Sequence, residues 1–146
     1  MTKTATTLNG LVQALNDGID FYEHAARQTT NTAYQDLFLK MSRLKSMIAA
    51  DLKAEIAHEG DSPDQDGTWL GSVRKGYADL KATLSKDSDA AYIGSLEEQE
   101  DRVLHAFRDA LGGDQPPKVR ELATRYLPEV QQMHDRMRAL KKAKAA

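Results

Sequence analysis

Apolar residues recur at spacings of three and four along most of the chain, and that single period predicts helices. Leu8, Leu11, Val12, Leu15, Ile19, Tyr22 and Ala26 form one stripe, with Thr6 or Thr7 placed to cap its start. A second stripe runs through Tyr34, Leu37, Phe38, Met41, Leu44, Ile48, Leu52 and Ile56. It opens on Thr32-Ala33-Tyr34-Gln35, the spacing of a capping box, and should fade at Gly60. GDSPDQDG then reads as a turn-rich linker. A shorter amphipathic helix is expected from about Trp69 to Leu84, with Leu70, Val73, Tyr77 and Leu80 on one face.

SKDSD offers caps for a further helix whose stripe is Tyr92, Leu96, Val103, Phe107 and Leu111, stopped by Gly112-Gly113. Pro116-Pro117 suits the first turn of the last helix, which carries Val119, Leu122, Tyr126, Val130, Met133, Met137 and Leu140. Pro128 inside it should introduce a kink. No segment alternates like a strand, so the expected class is all-α.

Four of these helices are long, roughly 35 to 43 Å each at 1.5 Å per residue. Tight turns at Thr29 to Thr32 and Gly112 to Pro117 make the first two, and the last two, antiparallel neighbours. The segment 60–87 between the pairs is long enough to run the length of a bundle as a loop plus helix. That arrangement, a four-helix bundle with a helical crossover between the second and third long helices, is the expectation. A plain up-down bundle with a helix lying across one end is the rival.

Composition narrows the function classes without choosing one. The 146 residues suit one domain spanning 1–146, 40% hydrophobic and 29% charged. A net charge of −2 and a pI near 6.1 give no overall field favouring nucleic acid or anionic lipid. No cysteine is present, which removes disulfides, thiol nucleophiles and Cys-ligated zinc and suits a cytoplasmic protein. MTKTATTLNG lacks the apolar core of a signal peptide, and no apolar run approaches a membrane span.

LNGLVQALNDGIDFYEHAA, DLKAEI, GTWLGSVRKGYADLKATL, SLEEQEDRVLHAFRDAL and EVQQMHDRMRAL, in that order, resemble a ferritin-like bacterial bundle family, domain of unknown function 2383. The resemblance implies a rubrerythrin-related four-helix bundle with a crossover helix. It implies no particular activity.

A di-metal centre in such a bundle takes a glutamate from each of two helices and a Glu-x-x-His pair from each of the other two, all pointing inward at one level. Glu100 is the strongest inward carboxylate, four after Leu96 and three before Val103. Burying it alone is costly, so a partner is expected. Glu23 lies at the edge of the first stripe, and helix rise puts Glu23, Glu100 and His134 within about two turns of one level. The second helix offers no Glu-x-x-His, and its inward Glu55 sits roughly 15 Å away along the axis. On the last helix Gln131 stands where a ligand glutamate belongs and is phased toward solvent, with His134 at the boundary.

Lys45 lies near the level of Glu23 and Glu100, where an ammonium can neutralise a buried carboxylate. The expected site is therefore a Glu100-centred polar cluster with Lys45, joined by Glu23 and His134, in place of a metal pair. A mononuclear or incomplete metal site at Glu23, Glu100 and His134 is the alternative.

Glu97, Glu98 and Asp101 read as a solvated face, and His24, His58 and His105, with no partner at metal-ligand spacing, as exposed histidines. The tyrosines read as core residues whose hydroxyls reach a partner, and the methionines as gap-fillers. The end RMRALKKAKAA fits a basic helix terminus better than a nucleic-acid arm.

Three functions follow. The first is a non-catalytic bundle acting by self-association, as a homodimer, or through a protein partner, with no cofactor. The second is an iron- or manganese-binding redox or storage protein, and the third, weakest, a DNA-protecting bundle. No membrane role is expected.

Overall fold

Within the described residues, each apolar stripe becomes the buried face of a helix. The computed structural model describes residues 2–60 and 88–145. Within them lie α1 (Lys3–Gln28), α2 (Thr32–His58), α3 (Ser88–Asp109) and α4 (Pro117–Ala145), and no strand occurs among the described residues. The helix expected from Trp69 to Leu84 lies outside the described residues. Leu8, Leu15, Phe38, Leu52, Leu96, Phe107, Val119 and Met137 all join one apolar cluster, with Ile19, Leu44 and Leu140 packed at its margin. Met47 is the exception among the methionines described, standing exposed on the outer face of α2.

The helix starts differ from the expected ones. Thr2, not Thr6 or Thr7, caps α1, its Oγ1 accepting the Ala5 N–H at 3.0 Å. Burial already begins at Ala5, a turn before the first leucine of the stripe. Asn31, not Thr32, caps α2, accepting the Tyr34 N–H at 3.1 Å. Asparagine is at least as good a cap as threonine. The Gln35 amide is thereby released to donate to the Ala26 carbonyl at 3.2 Å, tying the turn to α1. Gly60, at a φ of +83°, follows the end of α2 in the left-handed conformation glycine favours. Pro117 is the first residue of α4, and the helix runs on through Pro128.

Cross-helix contacts settle the topology. Along α1 from Lys3 to Thr7, Ala14 and His24, the partners are Asp114, Gln115, Gln99 and Tyr92. The start of α1 meets the turn after α3, and from Ala14 to His24 the partners on α3 fall from Gln99 to Tyr92, so α1 and α3 are antiparallel. The three-residue turn after Gln28 makes α2 antiparallel to α1, and hence parallel to α3. The end of α2 and the start of α3 therefore lie at opposite ends of the bundle, as a long crossover requires and a plain up-down bundle forbids. Packing is closest within the α1–α2 and α3–α4 hairpins, which meet chiefly along α1 and α3. Contacts between α2 and α4 are sparse. Between them runs a groove of about 680 Å³ lined by Leu37, Met41, Leu44 and Met133, with Lys40 and Glu129 among its polar residues.

Candidate functional site

The centre of the bundle is polar. Lys45 is fully buried and Glu100 is 1% exposed. The Lys45 ammonium donates to Glu100 Oε1. The Tyr22 hydroxyl donates to Glu100 Oε2 at 2.9 Å. The ammonium also stands 5.9 Å from the centre of the Tyr22 ring, close enough for cation–π attraction. Three helices thus converge on one carboxylate: Tyr22 from α1, Lys45 from α2 and Glu100 from α3. Burial and the adjoining Glu100 charge hold the Tyr22 phenol well above its ordinary range, so it stays a neutral donor.

Gly18 is what lets the lysine in. A Cβ there would lie 3.1 Å from Lys45 Cδ and 3.2 Å from Cε, tighter than ordinary van der Waals contact. A glycine inside a long helix costs about 1 kcal/mol relative to alanine, so its presence needs a packing reason. The lysine stem lying against α1 is that reason.

Glu23 and His134 are engaged elsewhere. Glu23 Oε1 accepts the Ser42 hydroxyl at 3.2 Å on the α1–α2 seam. His134 is turned to α3, its Nε2 2.5 Å from Asp101 Oδ1 and its Nδ1 3.2 Å from Asp135 Oδ1. Only 5% exposed, His134 lies deeper than the boundary position expected of it, because α3 covers its ring. Gln131, half-buried, accepts from Arg108 and donates to Asp135, both at 2.9 Å. Those contacts, the Gln131 amide first, hold the Asp135 carboxyl below its usual range.

Of the three acids expected on a solvated face, Glu98 is exposed and Asp101 half-exposed, and Glu97 is buried. Glu97 is 9% exposed and accepts from Lys141 at 3.3 Å, and Asp101 carries the contact to His134. Both sit at the edge of the α3 stripe, where α4 covers Glu97 and leaves Asp101 half-exposed. His24, expected to be exposed, is half-buried and 3.1 Å from the Tyr92 hydroxyl. His58 and His105 are exposed.

The central donors do not fit a carboxylate-bridged metal pair. Such a pair needs four carboxylates and two imidazoles converging without a competing cation. Here a lysine ammonium occupies the inner face of Glu100, and Glu23 and His134 are directed to other partners. A second cation beside Lys45 would meet direct repulsion in a region of low dielectric.

Among the described residues, helices without strands, paired as two hairpins around one core, define the class: an all-α four-helix bundle. A family model described as Domain of unknown function (DUF2383) matches residues 3–113, and the chain belongs to that family. The match spans α1 to α3, while His134 lies beyond it on α4. Comparison with curated proteins finds no match. None of the described helices is long and apolar enough to cross a membrane.

Proposed function

We propose that this protein is a ferritin-like bundle in which a lysine–glutamate pair has replaced the di-metal centre. On this reading it acts without redox chemistry, by offering its helix surfaces to a second copy or to a protein partner. The observation that carries it is the Lys45 ammonium seated on Glu100 at the middle of the bundle. The antiparallel relation of α1 and α3 supports the ferritin-like part, since one long crossover distinguishes those bundles from the plain up-down kind.

The open groove between α2 and α4, apolar at its base and charged at its rim, supports a binding role. Lys144 lies 5.7 Å from the centre of the Tyr34 ring, which favours a docked helix end over a free nucleic-acid arm.

Ferrous iron added anaerobically and then exposed to air tests this reading. The expected result is no diferric absorbance and no stoichiometry of two irons per chain. Two irons per chain, lost on Glu100→Ala, would overturn it.

A further inference from the structure

The corner formed by Glu97, Asp101 and His134 is separate from the central ion pair, and the reading above does not use it. Glu97 and Asp101 stand one turn apart on α3, and His134 faces them from α4. One donor atom from each, two carboxylate oxygens and an imidazole nitrogen, lies within 4.8 Å of the other two. Two of these residues are largely withdrawn from solvent: His134 is 5% exposed and Glu97 9%. Asp101 is half-exposed, leaving one side open to water.

The histidine carries the argument. A carboxylate flanks each ring nitrogen, Asp101 at Nε2 and Asp135 at Nδ1. A neutral imidazole donates from one nitrogen and presents a lone pair at the other, and a lone pair facing a carboxyl oxygen needs a proton or a metal cation between them. Two states satisfy both ends. One is an imidazolium donating in both directions. The other is a neutral ring that donates Nδ1–H to Asp135 and binds a cation at Nε2.

The second state has the form of a carboxylate–histidine–metal relay, in which an outer carboxylate fixes the tautomer and orientation of a ligand histidine. The outer arrangement is present. Asp135 is held by the Gln131 amide, and Gln131 in turn by Arg108.

We propose that Glu97, Asp101 and His134 form a mononuclear site for a first-row divalent transition cation, with Asp135 as the positioning residue. Two carboxylates balance a double positive charge. The imidazole favours zinc, cobalt or ferrous iron over magnesium or calcium, and the lack of sulfur donors disfavours cuprous copper. Lys141, half-exposed and 3.3 Å from Glu97 Oε2, competes for that carboxylate and swings away when the ion arrives.

The test uses the full chain freed of metal, titrated with Zn(II) by calorimetry and with Co(II) by visible absorption. One ion per chain is expected, with a Co(II) ligand-field band. Asp101→Asn, at a half-exposed position that should keep the fold, abolishes the band and weakens Zn(II) at least tenfold. Asp135→Asn, which touches no ion, weakens Zn(II) by about tenfold. Lys141→Met tightens it, because Glu97 is released. Glu23→Gln leaves the affinity unchanged.

Failure to saturate with either ion at 100 µM, on the order of the weakest metal sites of use to a protein, overturns the proposal. So does binding that survives Asp101→Asn and His134→Ala in variants with unchanged helical circular dichroism. One ion bound at this corner differs from two irons at the bundle centre, so the two proposals fail separately.

Discussion

Among single residues, Lys45 and Glu100 carry the sharpest consequence. Among the described residues each is neutralised by the other, with Tyr22 completing the carboxylate's hydrogen bonding. Removing one partner from such a buried pair typically costs about 3–5 kcal/mol, because a charge is left without compensation. Replacing both with apolar residues of similar volume is often neutral or stabilising. Lys45→Met and Glu100→Leu should therefore each destabilise strongly in urea unfolding, while the double variant recovers most of the loss. Additive losses in the double variant would count against the pair as the organising interaction of the core.

Asp17 gives a second residue-scale expectation. Burial, reinforced by Asp20 and partly offset by Arg102, raises its carboxyl from 3.8 to about 6. A folded-state value above the unfolded one means the folded chain holds this proton more tightly. The associated stability is full below about pH 4 and is lost as pH rises through about 6. Asp17→Asn should remove that decline, so unfolding curves at pH 4, 5 and 7 ought to differ less in the variant than in the parent.

Helix by helix, the outcome depends on which neighbour covers which edge. Gly18→Ala illustrates this. Alanine should gain about 1 kcal/mol in a helix interior, yet its Cβ would press on a lysine stem that is buried and tethered at its far end. The expected net effect is destabilisation in the parent and stabilisation in a Lys45→Ala background. Thermal melts of the four proteins in that cycle check the sign in each.

The same dependence explains the misread polar positions. Glu97 and Asp101 fall at the margin of the α3 stripe, where helical phase cannot tell a solvated edge from one covered by a neighbour. His24 met Tyr92 for the same reason. Caps were misplaced by short distances, since Thr2 and Asn31 compete with nearby threonines of similar chemistry.

For the whole molecule, the decisive feature is that α2 and α3 run parallel. Spin labels at His58→Cys and Ala91→Cys, both exposed positions near the ends that the connection joins, should report a separation on the order of 30 Å or more, the length of a 20-residue helix. An up-down-up-down arrangement would instead bring those ends together, and a short distance by electron double resonance would refute the topology.

Helix number, length and buried face were legible within the described residues because a 3.6-residue period is written locally, in spacings a few positions apart. Glu100 was legible as an inward carboxylate for the same reason, and Lys45 as its neutralising partner from helical phase and axial level together. Tyr22 as the second donor, Gly18 as the opening for the lysine, and His134 turning to Asp101 instead of the centre were decided only by tertiary structure. Each depends on the lateral order of helices and their rotation about their own axes. Those quantities are set by packing between segments 19 to 78 residues apart in the chain, and no local period encodes them.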